Sequence, residues 1–80
     1  MNDDAPPGRV VLDLRGLKCP LPVLRTRKAL AGLVAGCTIE VRCTDPWAAL
    51  DIPNLLRETG DELLDAVRSD GETRFAIRKT

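Results

Sequence analysis

Apolar residues recur along this chain with two different periods, and the changes of period mark six elements. From Arg9 to Leu14, Val10, Leu12 and Leu14 alternate with Arg9, Val11 and Asp13, the period of a strand with one mostly apolar face. Cys37 to Thr44 alternates more cleanly, with Cys37, Ile39, Val41 and Cys43 on one face and Thr38, Glu40, Arg42 and Thr44 on the other. Between these strands a turn at Arg15-Gly16 leads into a predicted helix from about Pro20 to Val34. Val23, Leu30 and Leu33 lie near one side of it, Arg25 and Lys28 project elsewhere, and Gly36 ends it. Asp45-Pro46 and Asp51-Ile52-Pro53 each join a capping residue to a first-turn proline. They predict a short turn over 46–50 and a helix restarting at Ile52, which carries Ile52, Leu55 and Leu56 inward. One unbroken helix is disfavoured, because Pro53 would sit in its interior without a backbone donor. Gly60 suits a left-handed cap. Leu63 to Arg68 and Thr73 to Lys79 read as the last two strands, joined around Ser69-Asp70-Gly71, where Asp-Gly is a hairpin signal. Phe75 and Ile77 point one way there, and Arg74, Ala76 and Arg78 the other.

The order strand, helix, strand, helix, strand, strand predicts a parallel first crossover and an antiparallel last pair. Both helices are needed to cover one apolar sheet face, so the expected architecture is an α/β two-layer sandwich. The opposite face, with Thr38, Glu40, Arg42, Arg74 and Arg78, is expected to meet water. With 80 residues, the chain has room for one small core. We expect a flexible leader over residues 1–8 and a single domain over 9–80. No apolar stretch has the length of a membrane span, and Met1-Asn2-Asp3-Asp4-Ala5-Pro6-Pro7 is polar and acidic rather than signal-like, so a soluble, cytoplasmic protein with no membrane partner is expected.

Charge changes this picture locally rather than globally. Twelve basic residues balance twelve acidic ones, and Trp47 and Phe75 are the only aromatic residues, so no stable nucleic-acid binding is expected. Yet no acidic residue occurs from Arg15 through Ile39, and Arg15, Lys18, Arg25, Arg27 and Lys28 surround Cys19 in sequence. Cys19 precedes Pro20 and Pro22 at the start of the first predicted helix. There the unpaired amide groups, the dipole and the basic field are all expected to favour a thiolate. The prolines suit a first turn and fix its backbone.

The other candidate chemistries are weaker. Three cysteines without Cys-x-x-Cys spacing, and no histidine, leave no zinc site and no thioredoxin-like dithiol, so neither metal nor cofactor is expected. Cys37 and Cys43 read as small buried hydrophobes. The missing histidine also removes the usual base of hydrolytic cysteine catalysis. A thiol without proton-transfer machinery beside it suits sulfur transfer, in which the thiolate takes a sulfane sulfur and holds it as a persulfide. Asp45 and Asp51 read as helix caps, and Asp13 either as a residue that orients the cysteine loop or as a simply solvent-exposed one. Two other readings of the residues are open: a non-catalytic RNA- or protein-binding module, and a thiol-based redox sensor.

Leu12-Asp13-Leu14-Arg15-Gly16-Leu17-Lys18-Cys19-Pro20-Leu21-Pro22 resembles the signature of the TusA family of small sulfur carriers, formerly grouped under the name SirA, whose mark is Cys-Pro-x-Pro. The resemblance continues through Thr44-Asp45-Pro46, Asp51-Ile52-Pro53, Gly60 and Phe75-Ala76-Ile77-Arg78-Lys79. It implies a β-α-β-α-β-β fold like the C-terminal domain of translation initiation factor three, with a four-stranded mixed sheet in the order 1-2-4-3 and two helices on one face. It also implies that Cys19 carries the persulfide, supported by Gly16, Asp13, Pro20 and Pro22. A cysteine desulfurase or rhodanese-like enzyme would be the donor and a further protein the acceptor, in tRNA thiolation, cofactor biosynthesis or sulfur oxidation. Arg15, Lys18, Arg25, Arg27 and Lys28 are the expected docking residues. Two positions depart from the family pattern: Leu21 stands where the tRNA-thiolation carriers are often acidic, and Asp61 where many members have histidine.

Overall fold

The computed structural model describes residues 9–80, and the expected leader over 1–8 lies outside the described residues. The element order is β1 (Arg9–Leu14), α1 (Leu21–Ala31), β2 (Thr38–Cys43), α2 (Ala48–Thr59), β3 (Glu62–Ser69) and β4 (Glu72–Arg78). The sheet order is β1-β2-β4-β3, with β1 and β2 parallel and the other pairs antiparallel, as the resemblance implied. Period-two alternation places Ile39, Val41 and Cys43 on one face of β2, opposite Ile77, Phe75 and Thr73 of β4. Leu30 of α1 and Ala48, Ile52, Leu55 and Leu56 of α2 close over that face together with Leu14, so one core lies between two layers. The β3–β4 hairpin turns at Asp70 and Gly71 with φ of 54° and 76°, the two positive values that a type I′ turn requires.

The helices differ from the sequence reading in instructive ways. α1 stops at Ala31, short of Val34: the Gly32 N–H bonds back to the Ala29 carbonyl at 3.2 Å, and the Leu33 N–H to Leu30 at 3.1 Å, a tightening that closes the helix. Gly36, with φ of 93°, serves the turn into β2 instead. Its buried stripe is Pro22, Thr26 and Leu30, with Val23 and Leu33 only partly covered. Thr26 is tolerated inside because its hydroxyl donates to the Pro22 carbonyl at 2.8 Å.

The second departure concerns α2, which runs unbroken from Ala48 to Thr59 through Pro53. The expected turn over 46–50 is present as bonds from Ala48, Ala49 and Leu50 to residues three earlier, but it feeds directly into the helix. An interior proline costs about 3 kcal/mol. Burying Ile52, Leu55 and Leu56 returns roughly 1.5–3 kcal/mol for each side chain, which decides the matter for one helix. Gly60 caps it at φ 82°, its N–H bonded to the Leu56 carbonyl at 2.8 Å.

The open sheet face is drier than expected around Arg42, whose guanidinium meets the Glu72 carboxylate at 2.6 Å with both side chains largely covered. Arg74 and Arg78 are exposed, and Thr38 and Glu40 half-buried. No helix among the described residues is long and apolar enough to cross a membrane.

Candidate functional site

Parallel pairing of β1 with β2 sets Leu14 beside Cys43, so the loop that follows each strand emerges at the same end of the sheet. Loops that leave the carboxyl ends of parallel strands are natural places for a site. The first loop, Arg15 to Pro20, is fastened to the second, Thr44 to Trp47, by side chains of the second. The Gly16 N–H donates to Thr44 Oγ1 at 2.9 Å, with Gly16 at φ 86°, where a side chain would be strained. The Cys19 N–H donates to Asp45 Oδ2 at 2.7 Å. Further bonds run from the Leu17 N–H to the Leu14 carbonyl and from the Leu21 N–H to the Lys18 carbonyl.

Asp13 holds the root of the loop. Its carboxylate accepts from the Arg15 backbone N–H at 3.1 Å and from two guanidinium nitrogens at 2.8 Å each. These hydrogen bonds hold the Asp13 carboxyl well below the usual carboxylate range.

Cys19 sits one residue before the cap position of α1. Pro20 is the cap residue, Leu21 and Pro22 open α1, and the Cys19–Pro20 peptide is cis. The thiol is exposed and lies in a shallow recess with Lys18, Asp45, Pro46 and Trp47. Its S–H donates to Asp51 Oδ2, 3.6 Å away in the first turn of α2.

This arrangement corrects the expected electrostatics. The thiol is pushed up from its ordinary value, by partial desolvation first, then by its hydrogen bond to Asp51 and by repulsion from Asp51 and Asp45. The basic residues of the same segment do not offset this. Arg15 is engaged by Asp13, and Arg27 by Glu58 at 2.8 Å. Lys18 shares the recess, while Arg25 and Lys28 lie exposed on α1. The basic residues are neighbours along the chain, whereas the two carboxylates that add to the desolvation come from 26 and 32 residues away.

Asp45 and Asp51 are therefore not helix caps, contrary to the expectation from sequence. Asp45 binds the Cys19 backbone, the cap position of α2 is Trp47, and Asp51 lies inside the helix facing the sulfur. Trp47, Thr44 and both aspartates were missed as site residues. The available signal was topological, since a parallel β1–β2 pair obliges the two loops to meet. Of the other cysteines, Cys43 is buried in the core, and Cys37 is half-buried just ahead of β2 and outside the core cluster. Asp61 follows the cap at the far end of α2 from Asp51; it is buried and accepts the Thr80 N–H at 3.0 Å. Among the described residues no group of three or more Cys, Asp or Glu side chains is placed to hold a metal ion.

The fold and site define a class: a small two-layer α/β domain that presents a tethered, exposed thiol where two loops meet. Comparison with known proteins makes the class specific. The family model described as sulfurtransferase TusA matches residues 10–79, and the chain belongs to this family of sulfur carriers. It is 38% identical over 69 residues to the sulfur carrier protein TusA of Allochromatium vinosum, covering 86% of this chain and 91% of that one. A provisionally named sulfur carrier protein of Neisseria meningitidis serogroup A is 50% identical over 67 residues, 84% of this chain and 90% of the relative. The crystal structure of a SirA-like protein from Desulfitobacterium hafniense superposes with a TM-score of 0.76 at 25% identity, covering 86% of this chain and 95% of that chain.

Proposed function

We propose that Cys19 is the sulfur-carrying residue of this chain: it takes a sulfane sulfur from a donor persulfide, holds it as Cys19–S–SH, and passes it to the thiol of an acceptor protein. The observation that carries this reading is the unequal placement of the three thiols, of which Cys19 alone is exposed and tethered by its own backbone between two loops. Transfer between thiols needs an accessible sulfur and a leaving thiolate on the donor, and no cofactor. A cysteine desulfurase or a rhodanese-like enzyme is the donor class that supplies such a persulfide, and the family's carrier role supports it. Docking is assigned to the rim of the recess, with Lys18 and Trp47 beside the sulfur and Arg25 and Lys28 on the adjoining helix.

The test is the intact mass of the protein after incubation with a desulfurase and cysteine, and separately with a rhodanese and thiosulfate. One added sulfur that dithiothreitol removes, and that Cys19→Ser lacks, is the expected result. Failure to load from either donor would favour a non-catalytic binding module instead.

A further inference from the structure

Asp51 makes no cap and no ion pair among the described residues, and the one hydrogen bond its side chain makes there is to Cys19 Sγ at 3.6 Å. Ile52 beside it is fully buried in the core, so the carboxylate is carried on a rigid helix turn rather than a loop. Asp45 meanwhile fixes the backbone of the same cysteine. One carboxylate thus positions the residue, and the other is directed at the reacting atom.

We propose that Asp51 is the proton-relay residue for sulfur transfer at Cys19, a proposal that rests on the carrier reading above. As Cys19 Sγ attacks the outer sulfur of the donor persulfide, a new S–S bond forms and the donor's own S–S bond breaks, its electron pair leaving with the donor cysteine. The Cys19 proton passes to Asp51 Oδ2 and from there to the departing donor thiolate. The sum is Cys19–SH plus donor–S–SH giving Cys19–S–SH plus donor–SH, with no external oxidant or reductant. A carboxylate is a weaker base than a thiolate, so it serves as a relay during the step and ends it unprotonated. The charged groups that face the sulfur are Asp51 from α2, Asp45 from the loop after β2 and Lys18 from its own loop. At rest partial desolvation and the two carboxylates favour the protonated thiol, and the proton then needs an acceptor when transfer begins.

Asp51→Asn separates this role from a structural one, because two readouts must move in opposite directions. Removing the like charge lets Cys19 ionise at lower pH, so iodoacetamide alkylates it faster at neutral pH. Loading from glutathione persulfide, a small donor that needs no docking surface, is expected to slow about tenfold or more. Asp51→Glu, which keeps charge and acceptor, is expected to recover most of the loading and an alkylation profile close to that of the unmutated protein. It decides the question if the Asn variant does not fold. Loading that rises with alkylation in Asp51→Asn, or a folded Asp51→Glu that does not load, would overturn the proposal. An unmutated protein that takes no sulfur from any donor would overturn the carrier reading itself.

Discussion

Cys19 and Cys43 stand at the same end of the molecule, and desolvation raises both thiols, but only Cys19 is raised by a hydrogen bond to a carboxylate as well. Cys43 closes β2, paired with Leu14 on one side and Thr73 on the other, and burial pushes its thiol up to about 11. Cys19 lies a few residues beyond Leu14, in the open, and is raised by partial desolvation together with two carboxylates that touch it. The Cys43 environment is permanent, because opening it means opening the core. The charges around Cys19 can be altered by one substitution or neutralised by a docking partner. An exposed cysteine that rests as a thiol is also shielded from casual oxidation, since the thiolate is the reactive form. The comparison teaches that exposure and activation are separate properties. Here Cys19 is exposed and yet rests as a thiol, and on the proposed carrier reading its ionisation is left to the moment of transfer.

The sharpest way to break the comparison is to exchange the serine between the two sites. Cys19→Ser is expected to abolish sulfur loading while leaving the unfolding midpoint in urea nearly unchanged. Cys43→Ser is expected to load normally yet lose about 1–3 kcal/mol, the cost of a hydroxyl without a partner in the core. Next in size is Ile52→Ala, which removes the buried anchor beside Asp51. Urea unfolding should show a loss of about 2–5 kcal/mol, with slower loading at temperatures where the domain is still folded.

The third expectation concerns pH. The Cys43 thiol has a folded-state value raised from 9.0 to about 11, so the folded state holds this proton more tightly than the unfolded chain. Its contribution to stability is complete below about pH 9 and is lost as pH rises through about 11. Urea titrations across this window should show a decline that is shallower in Cys43→Ala than in the unmutated protein. The smallest effect is expected from Arg27→Glu. Breaking its exposed pair with Glu58 should cost no more than about 1 kcal/mol, and slower transfer from a desulfurase at unchanged loading from glutathione persulfide would place Arg27 in docking rather than chemistry.

Much of the fold was legible because local rules and burial agreed there. The alternation of Ile39, Val41 and Cys43, the apolar pair Phe75 and Ile77, and the Asp70-Gly71 turn all follow from short-range pattern, whereas the strand order came through the family resemblance. The reading failed where the two disagreed. Pro53 argued for a break in α2, but four buried side chains on one stripe outweigh one lost backbone bond. Thr26, a polar residue that an apolar pattern does not count, occupies the core because its hydroxyl is bonded internally. At the site, the exposed thiol of Cys19 and the contact of Asp13 with the root of its loop were within reach of the sequence. The carboxylates of Asp45 and Asp51 were not, because what they do depends on two loops meeting across the β1–β2 pair, and a basic stretch of sequence concealed an acidic neighbourhood in space.

One of the three thiols, that of Cys19, is proposed to carry sulfur. That proposal is tested most directly by loading the folded protein from a desulfurase and cysteine, capping it with iodoacetamide without reduction, and mapping the peptides by mass. The account predicts one extra sulfur on the peptide containing Cys19, with Cys43 uncapped until the chain is unfolded. An extra sulfur on Cys37 or Cys43, with Cys19 carrying none, would contradict it.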